Sequence, residues 1–437
     1  MSHESTQMIR AFFDEALRAV DPYRAVSRHC GRVRSLFENE GLQRLCFVSL
    51  GKAAALMARA LLDGIGEIPL QGIVVTKYGH VGACSFPDAV TVFESGHPIP
   101  DENGVRAAGA VLELLGHADG RTLAVFLISG GGSSLLSRPC PGISLAEKRI
   151  VTELLLKAGA DIYELNTVRK HLSAVKGGRL AEAAAPARII SLVLSDVIGD
   201  PLDVIASGPV SPDTSTFGDA VEIVAKYGLA GSMPQNVIEL LSRGAGGLIP
   251  ETPKPGAALF ERVESIVVGN NAAALEGARR AAERAGYAAS IVATGLTGEA
   301  SRVGQELAKL ALERLGSMRG GEKVCLVAGG ETTVTVTGNG AGGRNTELAL
   351  AFGIAVRDVA GITLLSAGTD GTDGPTDAAG AIVTGRTMAE ALRLGLDPRS
   401  FLVRNDSYTF FKAVGGLVMT GPTGTNVMDV QVILLEK

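Results

Sequence analysis

The stretch LAVFLISGGGSSLLSRP, Leu123 to Pro139, decides the fold. It opens with an uninterrupted apolar run, breaks at three glycines and two serines, and resumes as the start of a helix. A strand that is apolar at every position is buried on both faces, which predicts a mostly parallel sheet sandwiched by helices. The same order recurs along the chain. Apolar runs at LCFVSL (45–50), GIVVTK (72–77), TVFES (91–95), IISLVLSD (189–196), SIVVG (265–269), KVCLVAGG (323–330) and ITLLSAG (362–368) are each followed by a polar or glycine-rich break. Helices are expected between them. TQMIRAFFDEALRAV should end at Asp21-Pro22, and NAAALEGARRAAERAG should end at its terminal glycine.

The chain has 437 residues, 46% of them hydrophobic and 20% charged, enough for two or three well-packed domains. GAGGLIPETPKPG (244–256) is the one extended Gly/Pro-rich stretch and the expected boundary. It divides the chain into an amino-terminal α/β domain (1–245), a linker (246–256) and a carboxy-terminal α/β domain (257–437). A net charge of −5 argues against nucleic-acid and anionic-membrane partners. No uncharged apolar run approaches the length of a bilayer span, and no secretory signal is expected. The five scattered cysteines read as reduced thiols, so a cytoplasmic protein is expected.

In open α/β sheets, ligands bind beyond the carboxyl ends of the strands. Those ends carry the polar chemistry here: Gly51-Lys52, Gly130-Gly131-Gly132-Ser133-Ser134, Ser195-Asp196, Gly269-Asn270-Asn271, Gly329-Gly330-Glu331 and Gly368-Thr369-Asp370. Glycines followed by a helix start can aim backbone N–H groups at an anion. A lysine after a strand can reach phosphate oxygens. Acids in glycine-rich loops, Asp196, Asp200, Asp370 and Asp373, suit Mg²⁺, which needs one or two carboxylates beside water and phosphate. Loop-starting and helix-capping roles compete with each assignment. NTVRKHLSAVKGGRL (166–180) gathers Arg169, Lys170, His171, Lys176 and Arg179. It reads as a solvated helix face, or as an anchor for a small carboxylate through Arg169 or Lys176. No catalytic role is expected for His171.

VTGNGAGGRNTELALAF (336–352) poses the sharpest question. Gly338, Gly340 and Gly343 have the G-x-G-x-x-G spacing of a dinucleotide turn, and Asp370 lies at the next strand's end. That pattern would suit a nicotinamide-dependent reductase. The preceding ETTVTVTG alternates threonine and valine, however, and so predicts a strand with one solvated face, unlike the apolar first strand of a dinucleotide fold. Arg344 follows the last glycine and would point at whatever fills the turn.

Taken together, SGGGSSLL, NTVRKHLSAVKGGRLA, SDVIGDPLDVIASGPVSPD, GGETTVTVTGNGAGGRNTELAL, SAGTDGTDGPTDAAGA and VMTGPTGTNVMDVQV resemble the class II glycerate kinases, the glycerate 2-kinases with a MOFRL carboxy-terminal domain. The likeness runs from about residue 8 to about residue 433, with the MOFRL region at about 323–433. It implies two three-layer α/β/α domains with mostly parallel sheets, the first Rossmann-like, and an active site in the cleft between them. It also implies ATP- and Mg²⁺-dependent phosphorylation of D-glycerate on its 2-hydroxyl. On this reading Lys52, Arg344 and Asp196 are catalytic, and Asp196 and Asp370 hold the metal. Gly130, Gly131, Gly132, Ser133, Ser134, Asn270, Asn271, Gly330, Glu331, Gly340 and Gly343 contact the nucleotide. A monomer or homodimer is expected. Family members are often labelled hydroxypyruvate reductases, which keeps the NAD(P)H-dependent reductase, and behind it a non-catalytic small-acid sensor, as alternatives.

Overall fold

The computed structural model describes residues 3–437. Its contacts divide the chain into two compact units: Pro22–Val268, and the segment ending at Asp21 joined to Gly269–Lys437. Each is an α/β unit built on a six-stranded sheet.

The sheet of the first unit contains β1 (Arg44–Leu50), β2 (Leu70–Lys77), β3 (Val90–Ser95), β4 (Thr122–Ile128), β5 (Arg188–Leu194) and β6 (Val263–Gly269). Their spatial order is β3-β2-β1-β4-β5-β6. The four pairings from β3 through β5 are parallel. All seven residues of β4 are buried, as the opening stretch predicts. The core joins Val48, Phe126, Ile128 and Ile189 to Val111 and Leu115 of the helix Glu102–Gly116. A second cluster, with Val151, Leu155, Leu165, Val168, Phe217 and Leu241, packs helices together and fixes the 166–180 segment.

The second sheet contains β7 (Ala288–Leu296), β8 (Lys323–Gly330), β9 (Ile362–Gly368), β10 (Gly380–Thr384), β11 (Leu417–Val418) and β12 (Asp429–Glu436). Its order is β11-β10-β9-β12-β8-β7. Strands β7, β8, β9 and β11 run one way, while β10 and β12 are reversed. The reversal of β12 sets the position of a buried acid. It brings the start of β12 between the carboxyl ends of β8 and β9, with Asp429 opposite both Gly330 and Gly368.

The units differ from the division expected at 245–257. The helix His3–Ala19 belongs with the second unit, where Ile9, Phe12, Phe13 and Ala16 are buried and Phe12 meets Tyr287 edge to face. The stretch 246–256 is no free linker. Thr252 is buried and donates to Asp213 Oδ2 (2.9 Å), and Pro253 O accepts from Asp213 N (2.9 Å). The following strand, β6, then completes the first sheet instead of starting the second. Gly/Pro composition there marks a change of direction inside a unit, since such residues bend the chain wherever they occur.

The expected strand ETTVTVTG is also absent, and 331–343 forms no sheet ladder beyond one isolated bridge at Thr333. Side chains bind its backbone instead: Thr335 N donates to Glu299, and Thr337 N and Gly338 N donate to Asn405 Oδ1. Among the described residues no helix is long and apolar enough to cross a membrane, and all five cysteines are unpaired.

Candidate functional site

Register places three of the expected segments along one edge of the first sheet. Leu50 of β1 pairs with Ile128 of β4, which pairs with Val193 of β5, so Lys52, Gly130–Ser134 and Asp196 leave adjoining strands on the same side. Lys52 N donates to Gly130 O (2.8 Å), and Ser129 Oγ accepts from Ala53 N (3.1 Å), which ties the two turns together. Gly131 is left-handed (φ 83°), and a Cβ there would crowd both His97 and the Lys52 side chain. The helix after the glycines is only Gly132–Leu135, so its dipole adds little to anion binding. Ser134 is buried and its hydroxyl donates to Gly131 O (3.1 Å), a cap instead of a ligand contact. Asp196 is half-buried at the end of β5.

The 166–180 segment departs from a solvated face: Lys170, His171 and Lys176 are all buried. His171 bonds Thr167 O and Glu251 and stacks edge-on against Phe217, which ties the segment into the packing. Lys170 pairs with Asp213 (3.2 Å) and Asp203 (3.4 Å). Arg169 and Lys176 instead converge on Ser133: Arg169 Nη2 donates to its Oγ (2.7 Å) and Lys176 Nζ to its carbonyl (2.6 Å). Among the described residues no carboxylate pairs with either cation. Burial holds the Arg169 guanidinium down to about 10, and burial with repulsion from Arg169 and Lys148 depresses Lys176 strongly.

Two residues of this edge are not apparent from the sequence. Lys148 is 4% exposed, its amine has no hydrogen-bond partner, and burial with repulsion from Arg169 lowers its pKa to about 7. It sits in an ordinary amphipathic helix, Leu145–Lys157, where a lysine gives no signal of burial. His97, beside Gly131 and Lys52, is pushed down to about 4 by burial and by Lys52, Lys77 and His80, so it is neutral at physiological pH. A histidine two residues after a strand could have been noticed.

In the second unit the reading of 336–352 is resolved by what fills its glycines. A Cβ on Gly338 would collide with Arg404, one on Gly340 with Asp406, and one on Gly343 with Asp373. The amides are occupied as well: Gly340 N donates to Arg404 O (3.0 Å) and Gly343 N to Thr346 Oγ1 (3.0 Å). The glycines make room for the protein's own chain. This removes the dinucleotide turn and corrects the expectation that Gly340 and Gly343 contact a nucleotide. Asp373 is likewise structural. It caps the helix Arg344–Ala355 by accepting from Asn345 N and Thr346 N (2.8 Å each), where Gly343 offers no capping side chain.

Arg344 is gripped in the fork geometry that guanidinium and carboxylate share. Its Nε and Nη2 bind Asp429 at 2.6 and 2.9 Å, and Nη1 lies 2.9 Å from Glu331. Burial works against the Arg344 charge, but Asp429 and Glu331 outweigh it and raise its pKa. Asp429 is 1% exposed and escapes a sequence reading because only strand reversal brings it there. Glu331 is therefore a partner of Arg344. Asn271 is a tie within the sheet, donating to Val427 O and Asp429 O (2.9 Å each), which leaves no free donor for a nucleotide. Asn270 caps its helix through Ala273 N (2.9 Å). Gly330 lies within the ladder opposite Asp429. Asp370 is half-buried, and its Oδ1 accepts from Thr372 N (3.0 Å).

The fold and its strand-edge cations define a two-unit α/β protein with cationic side chains gathered at the carboxyl edge of its first sheet. A family model described as a domain of unknown function, DUF4147, matches residues 8–242, and the MOFRL family model matches residues 324–429. A D-glycerate 2-kinase of Thermotoga maritima is 45% identical over 96% of both chains. A protein of Agrobacterium vitis that carries the name of a hydroxypyruvate reductase is 41% identical over 98% of this chain and 94% of its own. The crystal structure of a glycerate kinase from Thermotoga maritima superposes with a TM-score of 0.89 at 43% identity, covering 99% of this chain and all of that one. The chain belongs to the glycerate 2-kinase family with a MOFRL carboxy-terminal domain.

Proposed function

We propose that the protein is a D-glycerate 2-kinase that uses ATP and Mg²⁺. One observation carries the reading. Lys52, the glycine turn and Asp196 share the carboxyl edge of β1, β4 and β5, beside two cations that no acid among the described residues neutralises. Phosphoryl transfer is mostly positioning and charge neutralisation, and this edge supplies both. The reductase alternative loses its structural support once the 338–343 glycines are filled by the chain itself.

In the proposed reaction the 2-hydroxyl oxygen attacks the terminal phosphorus of ATP, the bond to ADP breaks, and the hydroxyl proton leaves to a base. Lys52 and Arg344 neutralise charge on the moving group. Asp196 serves as the acid that orients the metal or accepts the proton, and Asp370 is the second acidic contributor. Asp196 and Asp370 are each half-buried at a strand end, and a carboxylate there has the oxygen chemistry that suits Mg²⁺ beside phosphate. When bound, the metal neutralises charge on those oxygens. Anchoring the carboxylate fixes the adjacent 2-hydroxyl, whereas the 3-hydroxyl rotates about one further bond.

The test is a coupled assay with glycerate and ATP beside one with hydroxypyruvate and NADH. Turnover is expected only in the first, and its product should be consumed by enolase without a mutase. NADH oxidation without kinase turnover would overturn the reading.

A further inference from the structure

Ser133 gathers the donors of two cationic side chains. Its Oγ accepts from Arg169 Nη2 (2.7 Å) and Lys176 Nζ (3.2 Å), its carbonyl accepts from Lys176 Nζ (2.6 Å), and its Oγ lies 2.6 Å from Ser207 Oγ. Ser207 in turn donates to Asn166 Oδ1 (2.9 Å). Arg169 and Lys176 thus meet only neutral oxygens among the described residues. A third cationic group, Lys148, stands near enough to repel both and has no hydrogen-bond partner among the described residues. Burying cations without counter-charge is strongly unfavourable. The same segment shows the ordinary remedy at Lys170, which is paired with Asp213 and Asp203.

A second, independent feature points to the same spot. Ala206 and Ser207 are left-handed (φ 52° and 62°), a conformation that costs residues with a Cβ, and Gly208 continues it (φ 59°). The turn is pinned by Gly177 N to Ser207 O (3.0 Å) and Gly178 N to Gly208 O (2.7 Å). This strained turn is what holds the Ser207 hydroxyl against Ser133. Stored strain of this kind clusters where a ligand is held.

We propose that Arg169, Lys176, Ser133 and Ser207 form a binding site for one compact oxyanion group, either the carboxylate of the small hydroxy acid or a phosphate of the nucleotide. The naming of those two sources rests on the kinase reading; the oxyanion site does not. An entering oxyanion replaces the Ser133 oxygens as acceptor for Arg169 and Lys176. The Ser133 and Ser207 hydroxyls are then free to turn and donate to it.

The test is calorimetric binding, which needs no turnover, of D-glycerate and of a non-hydrolysable ATP analogue, to the full chain and to Arg169→Lys, Lys176→Met and Ser207→Ala. Each variant should weaken one ligand at least tenfold and leave the other within twofold. Selective loss of glycerate identifies the carboxylate as occupant, and selective loss of the analogue identifies a phosphate. Ser207→Ala and Arg169→Lys carry the test if Lys176→Met fails to fold. Unchanged binding of both ligands, or equal weakening of both together with a lower melting temperature, overturns the site. A wild-type protein that binds an oxyanion here but turns over no glycerate would sink the kinase reading and leave the site standing.

Discussion

Each unit sets a helical arginine against a strand-end segment, and the two are treated in opposite ways. Arg344 is neutralised within the protein by a buried carboxylate on two of its nitrogens and an exposed one on the third. Arg169, with Lys176 and Lys148 around it, has no carboxylate among the described residues and rests on a serine. A fully paired cation is held in one orientation. An unpaired cluster lacks a counter-charge that an arriving anion can supply. Strand reversal explains the first, because β12 delivers Asp429 to the place where β8 and β9 end. Local sequence explains the second, because Arg169 and Lys176 come from one short segment.

The comparison can be broken most forcefully at Asp429. Asp429→Ala leaves Arg344 half-buried with only the exposed Glu331 opposite, and should lower stability by about 3–5 kcal/mol, as removal of one partner from a buried pair does. Chemical denaturation of variant and parent measures it. A loss below about 1 kcal/mol would mean that Arg344 relaxes into solvent and that the pair is not structural.

The unpaired side has the opposite signature. The Lys148 pKa falls from 10.5 to about 7 on folding, so the unfolded chain holds the extra proton between those values. The penalty is complete below about pH 7 and is relieved as pH rises towards 10.5. Stability should therefore rise over that window by a few kcal/mol, and Lys148→Met should flatten the slope. Unfolding midpoints between pH 7 and pH 10 decide it, and an unchanged slope in the variant refutes it.

For activity, Lys52→Ala and Arg344→Ala should each lower kcat at least about a hundredfold, the scale of losing one stabiliser of transition-state charge. Near-normal turnover with glycerate in either variant removes that residue from the mechanism. The smallest effect belongs to Glu331, 46% exposed. Glu331→Gln should change stability by no more than about 0.5 kcal/mol, because exposed pairs contribute little. A larger loss would show that Arg344 depends on both acids.

Legibility followed the range of the interaction. All eight apolar runs read as strands form them, and the helices at 3–19 and 271–284 end where their proline and glycine signals stand. Those features depend on residues a few positions apart. The readings that failed depend on distant partners. ETTVTVTG alternates like a strand, but Glu299 and Asn405 take its backbone amides. The 338–343 glycines match a nucleotide turn, but Arg404, Asp406 and Asp373 fill the space they leave. The basic run at 166–180 resembles a solvated face, yet the packing of the helical cluster buries Lys170, His171 and Lys176.

The sequence by itself determined the α/β class, the strand edges that carry polar chemistry, and the family, because apolar runs, glycine breaks and long motifs are local patterns. Only the tertiary structure decided which charges are neutralised. A cation's partners are set by which chain segments the sheet order brings within about 3 Å, the reach of a hydrogen bond. Nothing near Arg344 in the sequence announces Asp429, 85 residues away. Nothing near Lys176 announces that Ser133 would be its acceptor.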